Sequence, residues 1–233
     1  MRPSVGTDNE STRERWLKAA LNSIPENSRI LDAGAGTQRY RKFCKHLIYV
    51  SQDFGKYDGQ GDSTGLQTGE FEYGELDIVC DITSIPEPDA SFDAIMCIEV
   101  LEHLPDPVQA IKEFSRLIKS KGHLILTAPF CSLTHFSPYH FGTGFNKYWY
   151  DKHLAAYHLK IIEISQNGNF FEYIAQEIDR IPSISKRYSQ DKPNLIERLS
   201  IFAILRMLSR FSKKDNGSSD LLCFGYHVHA IKD

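Results

Sequence analysis

Short apolar runs alternate with helix-like segments along the middle of the chain, from Ile30 to Ile164. The runs have the length of β-strands and are rich in Ile, Val and Leu. They lie at residues 30–33, 47–50, 76–80, 92–98 and 122–129. Strands that alternate with helices form parallel sheets covered on both faces. The pattern therefore predicts an α/β fold, a Rossmann-like three-layer sandwich.

The segments outside this alternation are interpreted from their polarity and helical spacing. Residues 1–10 are polar and are expected to form a disordered tail, followed by a helix that begins near Ser11. The Gly- and Asp-rich stretch 54–74 is expected to be a loop near the ligand site instead of a helix. Residues 183–220 are expected to be a helical insertion before a last strand at 221–231.

The helix expected at 195–211, within this insertion, has more apolar positions than an ordinary surface helix. Three readings are open: it packs in the core, it forms a dimer interface, or it rests on a membrane surface with its Arg and Lys residues facing anionic lipid. Internal packing or dimerisation is the simpler interpretation, so a homodimer is one of the arrangements that the sequence allows. No apolar run has the length needed to span a bilayer, and stable membrane insertion is not expected.

Residue types suited to ligand binding concentrate where the predicted strands end. The first strand runs into the glycine turn Gly34-Ala35-Gly36, and the next three end at or near Asp53, Asp81 and Glu99. In an open parallel sheet, ligands bind outside the carboxyl ends of the strands. The sequence therefore predicts a nucleotide-like pocket at this edge of the sheet.

The glycine turn differs from a dinucleotide-binding fingerprint, which has a third glycine where this chain has Arg39. Asp32, just before the turn, would repel a pyrophosphate but would suit a cationic amino group. The pocket is therefore expected to bind a nucleoside that carries an ammonium group, and S-adenosylmethionine fits that description. An NAD-dependent oxidoreductase and a non-catalytic binding protein on the same fold remain the alternatives.

Five ordered blocks resemble class I S-adenosylmethionine-dependent methyltransferases of the type 11 group. They are the strand and turn at 30–37, the Asp53 region, the pair Asp81-Ile82, the segment 92–104 and the strand 122–129. The resemblance implies a mostly parallel seven-stranded sheet with an antiparallel last strand, one methyltransferase domain over residues 1–233, and S-adenosyl-L-methionine as cofactor. The cofactor-binding residues that it implies are Asp32, Gly34, Ala35, Gly36, Asp53, Phe54, Asp81, Ile82, Ile98 and Glu99.

Three of these acids have a role that the resemblance implies and a simpler structural reading. Asp53 falls where the family binds ribose, but it would otherwise be a solvated loop acid. Asp81, with the backbone of Ile82, would read adenine, but it would otherwise cap an Asx turn. Glu99 would line the pocket or cap a helix. His103, one helical turn after Glu99, is expected to be structural.

Residues 129–150 follow the fifth strand and are expected to form the acceptor-side loop. A histidine can accept a proton near neutral pH, so His135 and His140 are the candidate catalytic bases. They would otherwise donate hydrogen bonds to the substrate or be ordinary loop histidines. Methyl transfer to a good nucleophile needs only alignment and no base.

The aromatic residues Tyr139, Tyr148 and Trp149 of the same segment are candidates for stacking on the acceptor or for covering the cationic donor. The alternative is that they fill a small core beneath a lid. The segment is similar to methyltransferases found in bacterial cell-surface polysaccharide pathways. That similarity implies a small-molecule acceptor, with a saccharide or nucleotide sugar methylated on O or N.

Composition bears mainly on partners and location. The net charge of −3 and pI of about 6.3 give no global basic field, so no nucleic-acid partner is expected. The five cysteines include no Cys-x-x-Cys pair, and no other ligand spacing indicates a metal, so none is expected. The odd cysteine count and the polar N-terminus predict a cytoplasmic protein.

Overall fold

A computed structural model describes residues 3–233. The chain divides into two compact units, which are described separately. One comprises Glu14–Ser165 and Gly225–Asp233, and it contains the predicted ligand site. The other comprises Met1–Arg13 and Gln166–Phe224.

The described residues include a seven-stranded sheet. Its strands are β1 (Arg29–Ala33), β2 (Ile48–Asp53), β3 (Ile78–Val79), β4 (Phe92–Ile98), β5 (Ile118–Pro129), β6 (Leu159–Asn167) and β7 (Gly225–Lys232). They lie in the sheet in the order β3-β2-β1-β4-β5-β7-β6. The pairs β1–β2, β1–β4, β2–β3 and β4–β5 are parallel, whereas β7 runs antiparallel to β5. The predicted fold class, with its antiparallel last strand, is confirmed.

The central strands are apolar along their length because both faces of the sheet are covered. Every β4 residue from Ala94 to Cys97 is fully buried, as are Ile30 and Leu31 of β1. Reversal of the winding direction between β1 and β4 places the carboxyl ends of both strands beside the topological switch point, where ligands bind in open α/β sheets.

The part of the chain that the structure describes has five α-helices: α1 (Asn9–Asn22), α2 (Pro107–Leu117), α3 (Lys147–Ala156), α4 (Phe170–Tyr188) and α5 (Leu195–Ser212). The start of α2 is encoded locally. The Asp106 side chain accepts hydrogen bonds from the backbone N–H groups of Val108 and Gln109, and Pro107 occupies the first turn, where its missing N–H has no partner to lose. Leu17 and Leu21 of α1 pack in one buried cluster with Ile30 and Met96.

The N-terminal segment differs from its prediction as a disordered tail. α1 begins at Asn9 instead of Ser11, and the Thr12 hydroxyl donates a 2.6 Å hydrogen bond to the Asp8 carbonyl. Val5 is buried in a cluster with Ala175, Leu205 and Leu208. One apolar side chain in a polar segment is enough to anchor it, and composition alone does not reveal such an anchor. Residues 1 and 2 lie outside the described residues.

The predicted insertion at 183–220 also differs in its boundary. α4 continues to Tyr188, past the predicted start of the insertion at residue 183, and the compact unit that contains it begins at Gln166. Helix α5 agrees with its predicted span, and Leu205 and Leu208 are its buried residues. Among the described residues, no helix is both long and apolar enough to cross a membrane. That the whole chain acts as one methyltransferase domain stays a prediction.

Candidate active site

The glycine turn after β1 has a backbone geometry that requires glycine. Gly34 has φ of +78° and Gly36 has φ of +50°, a region that side chains other than glycine rarely adopt. A Cβ at Gly34 would also lie 2.6 Å from a methyl group of Val100. The N–H groups of Gly34 and Ala35 both donate to the Gln52 carbonyl, over 2.9 and 2.8 Å. The turn is thereby fixed against the end of β2.

Asp32 lies beneath this turn and is only 2% exposed. Its Oδ2 atom accepts a 2.6 Å hydrogen bond from the Tyr49 hydroxyl. Burial raises the pKa of Asp32 to about 7, with a further contribution from nearby Asp53, although the bond from Tyr49 opposes the shift. A buried carboxylate that titrates near neutral pH would be stabilised as an anion by a cationic ligand group.

Asp53 is the last residue of β2 and is 6% exposed. Its two carboxylate oxygens accept hydrogen bonds from backbone N–H groups, Oδ2 from Gly36 over 2.9 Å and Oδ1 from Gly55 over 3.1 Å. Burial raises its pKa, and these bonds act in the opposite direction. The solvated-acid reading is therefore wrong. Asp53, the predicted ribose-binding residue, thereby connects the end of β2 to the glycine turn.

Asp81 has the local geometry of the Asx-turn alternative. Its Oδ1 atom accepts hydrogen bonds from the backbone N–H and the hydroxyl of Thr83, over 2.8 and 2.6 Å, and these bonds lower its pKa. The side chain is exposed and the following Ile82 is buried. A carboxylate accepts several hydrogen bonds, so this turn is compatible with a second role. Adenine recognition by Asp81 and Ile82 stays a prediction.

Glu99 and Ile98 mark the end of β4. Ile98 is buried, whereas Glu99 has a left-handed backbone with φ of +57°, and its N–H donates to the Thr127 carbonyl over 2.9 Å. A short 3-10 helix, Leu101–His103, follows with Val100 at its N-cap and no side-chain capping bond. The N-cap position of this short helix is therefore Val100, and a pocket-lining role for Glu99 stays a prediction. Unusual backbone geometry in a non-glycine residue is common at functional sites.

The predicted acceptor loop is partly helical, since α3 begins at Lys147 and is capped by the Asn146 side chain. Trp149 packs within this region, with its ring centroid 4.5 Å from that of Phe145 and 4.8 Å from that of His153. Tyr148, on the contrary, is 70% exposed. Trp149 therefore packs against its neighbours, as in the alternative of a small core, whereas the exposed Tyr148 ring is accessible for stacking.

The third aromatic candidate, Tyr139, contacts the predicted cofactor side of the site. Its ring meets that of Phe54 edge-on, with centroids 4.9 Å apart. Its carbonyl oxygen lies 2.6 Å from Nδ1 of His103. Tyr139 therefore brings together the segments that follow β2, β4 and β5.

His135 and His140 lie together, with ring centroids 4.8 Å apart, and His103 joins them at 4.6 Å from His135 and 6.0 Å from His140. Nε2 of His140 is 3.2 Å from the Ser132 hydroxyl. Burial lowers the pKa of His140, and burial together with nearby His135 lowers that of His103 to about 3. Both imidazoles are therefore neutral near pH 7.

Two residues of this cluster were missed as site residues. His103 was expected to be structural, and Glu102 was not considered, yet Oε1 of Glu102 lies 3.8 Å from Nε2 of His103 and 4.0 Å from Nε2 of His135. The adjacent Glu102-His103 pair after β4 was the available signal. The pair indicates a site only when His135 lies beside it, and His135 follows a different strand, β5.

The predicted loop at 54–74 contains no helix or strand in the structure, as expected. It packs against the acceptor-side loop, a contact that the sequence did not predict. Leu66 and His135 form a β-bridge, and the Leu66 N–H donates to the Thr134 carbonyl over 2.9 Å. The Phe71 ring lies against Gly36, with its tip 3.2 Å from where a Cβ would stand. The 54–74 loop therefore covers the glycine turn and contacts the acceptor-side loop.

Comparison with known proteins agrees with this geometry. Residues 31–126 match the sequence family described as "Methyltransferase domain". This segment contains most of β1, all of β2 to β4 and most of β5, with the glycine turn and the carboxylates at the strand ends. Residues 31–126 form a methyltransferase domain. The sheet order and the antiparallel β7 are those expected for its class I, S-adenosylmethionine-dependent type.

Relatives of this methyltransferase domain act on different acceptors. The chain is 50% identical over 36 residues to a ubiquinone biosynthesis O-methyltransferase of Alkalilimnicola ehrlichii, covering 16% of this chain and 15% of that protein. It is 31% identical over 123 residues to a tRNA (carboxymethyluridine(34)-5-O)-methyltransferase of Arabidopsis thaliana, covering 50% of this chain and 28% of that protein. The matches thus span less than a third of the length of either relative.

A solved structure with the same fold is phosphoethanolamine N-methyltransferase 2 of Haemonchus contortus in complex with S-adenosyl-L-methionine. The TM-score is 0.53 at 15% identity, over 95% of this chain and 52% of that one. At this identity the likeness concerns the fold. The solved structure therefore shares the fold of this chain, and only the residues of this chain bear on its acceptor.

Proposed function

We propose that this protein transfers the methyl group of S-adenosylmethionine to an oxygen or nitrogen atom of a small-molecule acceptor. The observation that carries the proposal is the arrangement of Asp32, the glycine turn and Asp53 at adjoining strand ends. Two buried carboxylates flank a turn whose glycines permit close approach of a ligand. A nucleoside with a cationic amino-acid tail complements that arrangement, because it offers an ammonium group to one acid and hydroxyls to the other.

Each donor contact has a distinct chemical reason. Asp32 would stabilise the donor's ammonium by charge pairing in a desolvated position, where electrostatic attraction is stronger than in water. Asp53 is held by the N–H groups of Gly36 and Gly55, and it would accept hydrogen bonds from ribose hydroxyls with its remaining lone pairs. Asp81 would accept a bond from the exocyclic amine of adenine, next to the backbone of Ile82.

The acceptor would bind between the 54–74 loop and the acceptor-side loop, next to the histidine cluster. Neutral imidazoles with lowered pKa, such as His140, can accept a proton but hold it weakly. In the reaction, the acceptor oxygen or nitrogen attacks the methyl carbon, the carbon–sulfur bond breaks toward the sulfonium, and the acceptor proton passes to His135 or His140. The products are the methylated acceptor, S-adenosylhomocysteine and a protonated histidine.

An oxygen acceptor is the form that we favour, since a hydroxyl needs the help of a base more than a neutral amine does. The related ubiquinone and tRNA enzymes are named as O-methyltransferases. A saccharide or nucleotide sugar would offer such hydroxyls, and the exposed Tyr148 ring could stack on a sugar face.

The described residues 3–233 include no membrane-spanning helix. We further propose a cytoplasmic location and leave a homodimer as a hypothesis.

The test is a transfer assay with donor carrying a labelled methyl group, against nucleotide sugars, saccharides, quinols, phosphoethanolamine and tRNA. Donor binding is measured separately by calorimetry with S-adenosylhomocysteine and with NAD. We expect S-adenosylhomocysteine to bind and NAD not to bind. Tight NAD binding without S-adenosylhomocysteine binding would favour an oxidoreductase. Donor binding with no label transferred to any class would favour a non-catalytic protein.

A further inference from the structure

Glu102, His103 and His135 bring one carboxylate oxygen and two imidazole nitrogens to a common point. The three atoms lie within 4.8 Å of one another. Glu102 is 1% exposed, and both histidine side chains are largely buried. The carboxylate and His103 come from the short helix after β4, whereas His135 comes from the loop after β5. The cluster is thus assembled by the fold and not by sequence spacing, which is why the sequence indicated no metal.

The orientation of both imidazoles is fixed by backbone carbonyls. Nδ1 of His103 is 2.6 Å from the Tyr139 carbonyl oxygen, and Nδ1 of His135 is 2.8 Å from that of Leu133. A carbonyl oxygen only accepts, so each Nδ1 carries the proton and donates it. An imidazole whose single proton is on Nδ1 has its lone pair on Nε2, the atom nearest Glu102 in both residues. Metal-binding histidines typically donate their other ring N–H in this way.

The distances between these atoms are too long for hydrogen bonds among them. Oε1 of Glu102 is 3.8 Å from Nε2 of His103 and 4.0 Å from Nε2 of His135, beyond the range of an N–H···O bond. Atoms bound to one tetrahedral ion at ordinary Zn–N and Zn–O lengths are about 3.3 Å apart. The three electron-pair donors converge to within 4.8 Å of one another, so they match a cation site whose ligands would have to move closer together around the ion.

We propose that Glu102, His103 and His135 bind one divalent transition-metal ion, of which Zn²⁺ is the reference case. Two imidazoles and a carboxylate suit Zn²⁺, Fe²⁺ or Co²⁺ better than Mg²⁺ or Ca²⁺, which prefer all-oxygen ligands. The His140 ring lies 4.8 Å from that of His135, so this imidazole would be beside the ion as a base.

The site adjoins the proposed acceptor position, and this gives the ion a specific use. A coordinated hydroxyl loses its proton more readily, because the cation stabilises the oxyanion. His140 would then receive the proton while the oxygen attacks the methyl carbon. This use rests on the proposed methyl transfer, whereas ion binding by the three side chains does not.

The test uses full-length, untagged protein freed of metals by dialysis against a chelator. Co²⁺ is titrated while the visible d–d absorption is recorded, and Zn²⁺ binding is measured by calorimetry. We expect one ion per chain and a visible spectrum of nitrogen and oxygen ligands without the near-ultraviolet band of a thiolate. His135→Ala and Glu102→Gln should each weaken binding at least tenfold, with circular dichroism as a check on folding.

Two matched controls separate this site from incidental binding. His153→Ala removes a histidine of α3 outside the cluster, and Cys131→Ser removes an exposed thiol, so both should bind the ions like the parent protein. The proposal is overturned if binding is below one ion per chain, or if His153→Ala or Cys131→Ser weakens it as much as His135→Ala does. His135→Ala alone decides the matter if Glu102→Gln does not fold.

S-adenosylhomocysteine affinity is measured on the same samples, so that two failures can be told apart. Normal donor binding and methyl transfer in metal-free protein, with no ion bound on titration, would overturn the metal site alone. Ion binding that depends on His135 in a protein that binds no donor would overturn the proposed function alone.

Discussion

The Tyr49 hydroxyl donates a 2.6 Å hydrogen bond to Oδ2 of Asp32, and the two residues lie on neighbouring parallel strands. Tyr49 holds the carboxylate in place but supplies no positive charge. Burial, with Asp53 nearby, therefore raises the pKa of Asp32 to about 7. A cationic ligand would supply the missing charge, so the pair links donor binding to pH.

Donor binding should strengthen as the pH rises toward and above 7. The donor's ammonium group pairs with ionised Asp32, but below the pKa the free protein holds this carboxyl in its neutral form. With a pKa of about 7, the ionised fraction falls about 30-fold between pH 8 and pH 5.5, and S-adenosylhomocysteine affinity should fall by a similar factor. Calorimetry at several pH values measures this. In Asp32→Asn the affinity should be weaker but nearly independent of pH, and an equal slope in both proteins would contradict the assignment.

The same substitution should stabilise the ligand-free protein at alkaline pH. The folded-state pKa of Asp32, about 7, lies above the ordinary value of 3.8 for an aspartate side chain. The folded state therefore binds more protons between these two values, and ionisation of Asp32 lowers the free energy of unfolding as the pH rises through this range. Asp32→Asn has no such charge and can still accept the bond from Tyr49. Its gain at pH 8 should be at most about 4 kcal/mol, and smaller at pH 5.

Thermal unfolding at pH 5 and pH 8, without ligand, checks this prediction. The Tm difference between Asp32→Asn and the parent should be larger at pH 8. A variant that is less stable than the parent at pH 8, with the reverse at pH 5, would show that Asp32 is stabilised as an anion by groups other than a ligand. Asp89→Asn is a suitable control, because that side chain is 80% exposed.

The sheet and the donor side of the site were predictable because their signals are local. A buried strand is visible as an apolar run. A sharp backbone turn is visible in its glycines, as at Gly34 and Gly36. The relations between distant segments were not predictable in the same way. The contact of Leu66 with His135 and the approach of Glu102 to that histidine depend on how two loops fold over the strand ends.

The burial of single residues by remote contacts was also not predictable from the sequence. Val5 reads as an isolated apolar residue in a polar tail, yet it is buried. Asp53 reads as an acid at the edge of a pocket, but two backbone N–H groups hold it inside. In each case the deciding partner is a backbone group or a side chain that is remote in sequence.

Asp53→Ala should weaken donor binding and also destabilise the turn. Loss of a charged hydrogen-bond acceptor for ribose corresponds to about 1.5–3 kcal/mol, or roughly 10- to 150-fold in affinity. The N–H groups of Gly36 and Gly55 lose their acceptor as well, so the Tm should fall. Calorimetry well below the Tm separates the two effects. Asp89→Ala should change neither quantity, and an unchanged Kd in folded Asp53→Ala would refute the ribose role.

His140→Ala should leave S-adenosylhomocysteine affinity within error and reduce turnover. If His140 is the base, the loss should be about 10²- to 10⁴-fold in kcat. A lowered pKa means that His140 is already neutral at pH 7, so the parent's activity should decline only on acidification. Partial rescue of the variant at high pH would indicate that acceptor deprotonation is the missing step. Full activity in both His140→Ala and His135→Ala would leave alignment as the mechanism.

Trp149→Ala should lower stability more than it affects acceptor binding. The Trp149 ring packs on Phe145, Tyr150 and His153, with centroid distances from 4.5 to 5.4 Å. Removing a large, partly buried aromatic ring leaves a cavity, and we expect a loss of about 1–3 kcal/mol in unfolding free energy. The neighbouring Tyr148 is 70% exposed, so Tyr148→Ala should change stability by no more than about 0.5 kcal/mol.

Tyr148→Ala and Trp149→Ala should differ in which quantity changes: the acceptor KM in the first and the Tm in the second. If Tyr148 stacks on the acceptor, Tyr148→Ala should raise the acceptor KM at an unchanged Tm, and Tyr148→Phe should restore it. Trp149→Phe should recover most of the Tm lost in Trp149→Ala, because it restores an aromatic contact with Phe145. A Trp149→Ala protein with the parent's Tm and a raised acceptor KM would instead place that ring in the acceptor site and show that its packing contributes little.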